Sequence, residues 1–146
     1  MPEPEILISH HTVMSYELDA WGHVNNAVYL NYLEKARNDF LISKGLNFND
    51  FFKWQKFPVV RKAILEFKHP AESGDNLQIN GWISDYTATR FTLTYKIFNR
   101  ESNILILSAQ TLHVFVNNRN KPTRIPDEFY HKFIIPSQKK PGKEGS

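Results

Sequence analysis

The sequence contains no cysteine among its 146 residues. This absence excludes disulfides, thiolate nucleophiles, and zinc or iron–sulfur sites built on cysteine. Long apolar runs are also missing: the longest, Ile104–Leu107, is far short of the roughly 20 residues that span a bilayer. The N-terminus is acidic and has no basic segment followed by an apolar stretch, so we expect no secretory signal, no membrane span and a cytoplasmic protein.

The sequence patterns of nucleotide and metal sites are absent too. Neither Gly-x-Gly-x-x-Gly nor Gly-x-x-x-x-Gly-Lys occurs, which argues against dinucleotide-binding and P-loop chemistry. A nucleophile elbow is unsupported because no Gly-x-Ser-x-Gly is present. The six histidines show no His-Glu-x-x-His or comparable ligand spacing. We therefore expect neither a metal nor a cofactor.

The net charge of +3 is concentrated near the C-terminus. Three lysines and one glutamate lie in Pro136–Ser146, a segment without apolar residues, so we expect a flexible basic tail at 136–146 after one domain at 1–135. A nucleic-acid site requires Lys and Arg clustered on a folded face. Because the remaining chain is nearly neutral, we predict no nucleic-acid partner. A hydrophobic fraction of 41% is sufficient for a core.

Apolar spacing predicts one helix and five strands. The first strand is expected within His10–Tyr16, and a helix of about 18 residues is expected to follow the N-cap candidates Asn25 and Asn26. Alternating apolar residues then predict four strands, which begin near Val59, Leu77, Phe91 and Leu105. The links between these strands are short, which favours an antiparallel meander. The sequence thus predicts an α+β fold, with one helix packed on an antiparallel sheet.

The segment before the helix concentrates polar side chains. Asp19, His23, Asn25 and Asn26 crowd a turn centred on Gly22. A helix N-terminus offers unpaired backbone N–H groups and a positive dipole end, which stabilise a developing oxyanion. A carboxylate held there can activate water or attack as a nucleophile. Asp19 and Asn26 are also residues that simply cap helices, and the spacing leaves both interpretations open.

The stretch from Asp19 to Tyr29, with Glu34-x-Ala-Arg37 downstream, resembles the segment that leads into the long helix of hotdog-fold thioesterases. The resemblance is to the 4-hydroxybenzoyl-CoA thioesterase-like family, in the branch with a His-Val-Asn-Asn signature. It continues through Pro58–Lys62, Phe67-x-x-Pro70-Ala71 and Gly74-Asp75, and covers about Met14 to Pro126.

This resemblance implies a hotdog fold, in which a five-stranded antiparallel sheet wraps around one long central helix. It implies a homodimer or homotetramer with active sites between subunits, and hydrolysis of a fatty-acyl or aryl-CoA thioester to free acid and CoA. By position, Asp19 is the base or nucleophile and His23 orients or deprotonates water. The backbone N–H at about Asn26 polarises the thioester carbonyl.

The resemblance also places the coenzyme A path along one strand and a neighbouring loop. The residues implied are Val60, Arg61, Lys62, Thr87, Thr89 and Arg90, and arginine suits phosphate groups. Aromatic residues of the Phe48–Phe57 segment are candidates for an acyl pocket, whereas Glu34 is expected to be a solvated or interface charge. The alternatives are a thioesterase acting on acyl carrier protein, a hotdog dehydratase that does not release the thiol, and a non-catalytic acyl-binding protein.

Overall fold

A computed structural model describes residues 4–136 of the chain. Five antiparallel strands form one sheet in the order β1-β3-β4-β5-β2. The strands are β1 (Leu7–Thr12), β2 (Lys56–Phe67), β3 (Asn76–Tyr86), β4 (Arg90–Asn99) and β5 (Leu105–Asn117). The helices are α1 (Val28–Ser43), α2 (Phe48–Trp54) and α3 (Asp127–Phe129), the last continued by a π-helical turn at Tyr130–Ile134. Of the expected basic tail, residues 137–146 lie outside the described residues.

The α+β class and the five antiparallel strands are confirmed, but the predicted four-strand meander is wrong. Only β3, β4 and β5 follow one another in the sheet, because β2 pairs with β5 at the opposite side. The link from β2 to β3, residues 68–75, therefore passes two intervening strands. Eight extended residues reach about 26 Å, whereas three strand spacings need only about 14 Å. A short link does not force two strands to be neighbours.

Helix α1 packs on the inner face of the sheet over β1 and β3. Its buried face comprises Tyr29, Tyr32, Leu33, Ala36, Phe40 and Leu41, at the predicted spacing of three and four residues. The Phe40 ring lies directly on the backbone of Gly81 in β3, where a Cβ would sit 2.5 Å from the ring. Glycine at position 81 thus lets the helix approach the sheet closely.

Strand β2 is left largely uncovered by α1. The cross-strand register places Ala63, Leu65 and Phe67 on the inner face of the sheet, opposite Thr111, Ala109 and Leu107. Ala63 and Phe67 are nevertheless exposed, and Leu65 is only half-buried. An open trough therefore runs between α1 and β2. β2 is also an edge strand, so its outer edge pairs with no other strand among residues 4–136. Its two ends do meet the helices: the Phe67 ring lies 5.7 Å from Tyr29 of α1, and the Phe57 ring lies 5.3 Å from Phe52 of α2.

Several element boundaries differ from the predictions. The first strand is Leu7–Thr12 rather than a segment of His10–Tyr16, because residues Ser15–Glu17 form a 3₁₀ turn. Three α-helices are present where one was expected. Helix α2 has only seven residues and is capped by the side chain of Asn47, which accepts a hydrogen bond from the Asn49 amide at 2.8 Å. So short a helix depends on its cap and its packing more than on periodicity. Within the described part of the chain, no helix combines the length and apolarity needed to cross a bilayer.

Candidate active site

The turn that carries Asp19 is closed by the Asp19 side chain itself. Oδ1 of Asp19 accepts hydrogen bonds from the amides of Trp21 at 2.9 Å and His23 at 3.1 Å. The Asp19 amide donates to the His23 carbonyl at 2.7 Å, and Gly22 takes the left-handed conformation that the turn requires. Asp19 therefore caps its own turn and not helix α1. Its second oxygen, Oδ2, has no hydrogen-bond partner among residues 4–136.

Helix α1 begins two residues later than its predicted caps. Its first residue is Val28 and Ala27 occupies the N-cap position without a side-chain bond. The Asn25 side chain accepts from the Ala27 amide at 2.9 Å, and the Asn25 carbonyl accepts from the Val28 amide at 2.9 Å. The Asn26 amide has no acceptor within the part of the chain that the structure describes. It is thus a free donor at the positive end of the helix dipole.

A part-buried cluster around Glu17 anchors this loop to the fold. The Glu17 carboxylate accepts hydrogen bonds from the Met14 amide at 2.8 Å and the Tyr32 hydroxyl at 2.7 Å, and lies 3.1 Å from Nε2 of His11. The Glu17 carbonyl accepts from the Asn25 amide at 3.0 Å. Burial opposes ionisation of Glu17, but the hydrogen bonds outweigh it and hold the pKa of the carboxyl below its usual value. Strand β1, the loop and α1 are therefore joined at one charged residue.

Asp19, His23 and Asn26 line one cleft of about 300 Å³. The predicted catalytic residues are thus brought together in one chain. The opposite wall of the cleft is formed by the end of β2 and the residues that follow, Phe67, Lys68, His69 and Pro70. Lys68 and His69 are not among the predicted site residues, because no motif or spacing in the sequence points to them. They reach it only because the end of β2 lies beside the turn.

Two further groups define the chemistry of the cleft. Nε2 of His23 lies 4.0 Å from Oε2 of Glu72, which is a loose contact between exposed side chains. Burial raises the pKa of Tyr29 to about 12, so its hydroxyl is neutral at physiological pH. Nowhere in residues 4–136 do three or more His, Asp or Glu side chains form a group able to hold a metal ion.

The residues expected to bind coenzyme A lie at the other end of the sheet. Val59, Val114 and Arg90 occupy one cross-strand row, so Val60–Lys62 and Arg90 lie two strands, or about 10 Å, apart. Thr87 and Thr89 lie in the adjoining β3–β4 hairpin. By contrast, Val60 is seven residues, or about 23 Å, from Phe67 at the cleft. Within one chain, the two predicted groups of residues are therefore far apart.

A second cavity of about 410 Å³ lies at the far end of the trough. It is lined by Leu41 of α1, by the inner face of the sheet, and by α2 and α3. Four aromatic residues of the segment 48–57 contribute to its walls, namely Phe48, Phe51, Phe52 and Phe57. The expectation that this segment shapes an apolar pocket agrees with their position. Glu34 is exposed and lies at the same cavity.

Comparison with known proteins identifies the family. The model of the thioesterase-like superfamily matches residues 13–133. The chain is 34% identical over 122 residues to the chloroplastic acyl-acyl carrier protein thioesterase ATL3 of Arabidopsis thaliana, covering 84% of this chain and 64% of that protein. It is 30% identical over 118 residues to the acyl-CoA thioester hydrolase YbgC of Escherichia coli, covering 80% and 87%. The chain thus spans less than two thirds of ATL3.

A solved structure shows the same architecture. The 1,4-dihydroxy-2-naphthoyl-CoA thioesterase Slr0204 of Synechocystis superposes with a TM-score of 0.82 at 25% identity, over 88% of this chain and 95% of that one. The match of the family model over most of the chain, together with the shared fold, shows that the chain belongs to the thioesterase-like superfamily, as the segment before the long helix predicts.

Proposed function

We propose that the protein hydrolyses an acyl-CoA thioester to free acid and CoA in the cleft before α1. The observation that carries this proposal is the pairing of two unsatisfied groups on one cleft. Among residues 4–136, Oδ2 of Asp19 has no partner while Oδ1 is fixed by two amides, and the Asn26 amide just before α1 has no acceptor. A fixed carboxylate and a free backbone donor on one cleft suit acyl transfer.

In the reaction, the thioester carbonyl oxygen accepts a hydrogen bond from the Asn26 amide. Asp19 then acts in one of two ways, which the geometry supports equally. As a base, Oδ2 takes a proton from water, and the resulting hydroxide attacks the carbonyl carbon. As a nucleophile, Oδ2 attacks the carbonyl carbon and forms an anhydride that water later hydrolyses. In both routes the thiolate of CoA leaves and takes up a proton, and His23 orients the water.

We further propose that the complete site lies between two subunits. Edge strand β2 exposes Val60, Ile64 and Phe67, and an exposed apolar edge is avoided when two edges pair. A two-fold antiparallel pairing centred on Ile64, which keeps the same face of both strands together, places the Val60–Lys62 stretch of one subunit beside the cleft residue Phe67 of the other. The proposed coenzyme A residues of one subunit and Asp19 of the other then meet across the interface, although they are far apart within one chain.

The oligomer proposal is tested with two matched substitutions on opposite edges of the sheet. Ile64 is 44% exposed on β2, and Ile8 is 52% exposed on the other edge strand, β1. Ile64→Lys is expected to lower the mass measured by light scattering to that of one chain and to abolish thiol release, whereas Ile8→Lys changes neither. A wild-type protein of single-chain mass with full activity would exclude a shared site.

A thioesterase acting on acyl carrier protein is the second candidate, favoured by a cluster of cations. Arg61 lies 3.4 Å from Asn120, which brings the turn after β5 to the β2 bulge. Around this contact lie Lys62, Arg90, Arg119 and Lys121, and none of these five cations is ion-paired among the described residues. Such a surface suits an acidic protein as well as coenzyme A phosphates.

A thiol-release screen tests the reaction and separates the two carriers. Short, medium and long acyl-CoA, aryl-CoA and the matching acyl carrier protein substrates are assayed with a thiol-reactive dye. This protein adds no background signal, because it has no cysteine, so the dye reads the thiol released from the acyl carrier in each assay. We expect release from acyl-CoA. A rate that is larger for the carrier protein and falls steeply with salt favours the second candidate, and no release from any substrate overturns both.

A further inference from the structure

The second cavity combines an aromatic wall with a buried polar chain. Seven phenylalanine rings line it, from the helices and from the sheet. Three hydrogen bonds connect Arg37 of α1, through strands β4 and β5, to His113. Nη1 of Arg37 donates to Oη of Tyr95 at 3.2 Å, Tyr95 and Thr111 are 2.5 Å apart, and Thr111 lies 2.8 Å from Nε2 of His113. Tyr95, Thr111 and His113 are all at most 2% exposed.

The direction of these hydrogen bonds follows from Arg37, which can only donate. Tyr95 accepts from Arg37 and donates to Thr111, and Thr111 donates to Nε2 of His113. Each other arrangement leaves a buried hydroxyl proton, that of Tyr95 or that of Thr111, without an acceptor in residues 4–136, which is costly. His113 is neutral, because burial lowers its pKa to about 3 and the charge of Arg37 acts in the same direction. Its remaining proton is therefore on Nδ1.

This assignment leaves donors without acceptors at the cavity. Nδ1–H of His113 has no partner in residues 4–136, although the ring is 2% exposed and stacks on Phe91 at 4.8 Å. Arg37 uses one donor on Tyr95 and has no carboxylate within 4.0 Å in the described chain. Both side chains line the cavity. An apolar chamber with unsatisfied donors in its wall is complementary to an apolar group that carries an acceptor oxygen.

We propose that this cavity binds the distal part of the acyl group, and that Arg37 and Nδ1–H of His113 donate hydrogen bonds to an oxygen on it. The protein then selects acyl thioesters with a distal hydroxyl, carbonyl or carboxylate oxygen over unsubstituted alkyl chains. This inference rests on the proposed thioesterase function. Phe67 lines the cleft, Val60 lines the cavity, and the inner face of β2 between them is exposed at Ala63, so the acyl chain is proposed to follow this face from one to the other.

The test compares acyl-CoA substrates that differ only at the distal end. Alkyl, ω-hydroxy and ω-carboxy acyl-CoA of six to sixteen carbons are assayed as matched series (roughly tenfold selectivity is the scale of one good hydrogen bond). We expect kcat/KM for an oxygenated chain to exceed that of its alkyl counterpart about tenfold at the best length. An alkyl chain preferred or equal at every length overturns the proposal.

Two substitutions of His113 separate the ligand donor from the structural bond. The amide of His113→Asn lies near the position of Nδ1, whereas that of His113→Gln lies near Nε2. We expect His113→Asn to keep most of the selectivity but to melt lower, because the buried Thr111 hydroxyl loses its acceptor, and His113→Gln to keep that acceptor but lose the selectivity. Equal selectivity in the two variants overturns the proposed donor. Arg37→Met should also lose the selectivity, and its retention there contradicts the role of Arg37.

A binding measurement keeps the inference testable without turnover. Calorimetry with non-hydrolysable CoA thioethers that carry decyl, 10-hydroxydecyl or 9-carboxynonyl chains, and with the same chemistries at other lengths, measures binding without hydrolysis. Tighter binding of the oxygenated analogues, reduced by His113→Gln, supports the inference even if no thioester is hydrolysed. In that case only the proposed function fails. Absence of any preference in binding overturns the inference while leaving an observed hydrolysis intact.

Discussion

Replacing Asp19 with asparagine or alanine separates the chemistry of this carboxylate from its structural role. Oδ1 holds the turn through the Trp21 and His23 amides, while Oδ2 has no partner among residues 4–136, and Asp19 lines the cleft. Asparagine keeps an acceptor at Oδ1 but replaces Oδ2 with a neutral NH₂ group. Alanine removes both atoms. The two variants therefore share the loss of the proposed catalytic oxygen and differ in whether the turn keeps its hydrogen bonds.

The expected magnitudes follow from these contacts. Loss of a positioned base costs about 10²–10⁴ in rate, so both variants should lose at least about a hundredfold in kcat. The two backbone hydrogen bonds to an exposed side chain contribute about 1–2 kcal/mol together. Asp19→Ala should therefore melt roughly 3–6 °C lower, on a scale of about 3 °C per kcal/mol for a chain of this size. Asp19→Asn should melt close to wild type.

The assay is thiol release under saturating substrate, with melting temperature measured on the same preparations. Glu101→Gln is the matched control, because it removes one exposed carboxylate in the β4–β5 turn outside the cleft. It should leave kcat unchanged. If Asp19→Asn retains more than about a tenth of wild-type kcat on the best substrate, Asp19 is neither base nor nucleophile and the proposed mechanism is wrong.

Three further substitutions test how the fold supports the site. Gly81→Ala should destabilise the protein by about 1–3 kcal/mol in urea unfolding, because its Cβ meets the Phe40 ring at 2.5 Å; stability equal to wild type would contradict the close approach. Phe129→Ala should cost about 3–5 kcal/mol, since this 1% exposed ring closes the second cavity; a cost below 1 kcal/mol would mean that the C-terminal helix does not pack as described. Glu17→Gln tests the pKa of Glu17, which hydrogen bonds lower against the opposing effect of burial. Because the folded pKa lies below the unfolded value of 4.5, ionised Glu17 stabilises the fold above that value, and this stabilisation is lost as pH falls through the folded pKa. The variant should therefore be less stable than wild type at pH 7 and match it near pH 2. An equal deficit at both pH values would refute the charge-based explanation.

Local sequence patterns predict much of the fold. The alternation of Leu77, Ile79 and Ile83, and that of Phe91, Leu93, Tyr95 and Ile97, predicts the buried faces of β3 and β4, and all of these residues are buried. The periodicity of α1 likewise predicts its buried face, except for Leu30, which the spacing also assigns to that face and which is exposed. These predictions succeed because the period of side chains along a helix or strand is a property of the backbone alone.

Other features depend on partners that local patterns do not specify. The α2 helix was not anticipated, because seven residues carry too little periodicity to be recognised and their packing on the core decides the helix. The pairing of β2 with β5 was missed, because the length of a link limits strand pairing without choosing it. The same displacement of β2 brings Lys68 and His69 to the cleft and explains why neither residue was identified as part of it.

The sequence by itself determined the fold class, the position of the reactive turn and the grouping of Asp19, His23 and Asn26, because these residues lie within eight positions of one another. Only the tertiary structure decided which oxygen of Asp19 has no partner in residues 4–136, that the Asn26 amide before α1 has no acceptor there, and that Arg37 and His113 meet one cavity. The physical reason is that hydrogen-bond satisfaction depends on groups from distant strands and helices, whereas periodicity and turn chemistry depend on neighbours along the chain.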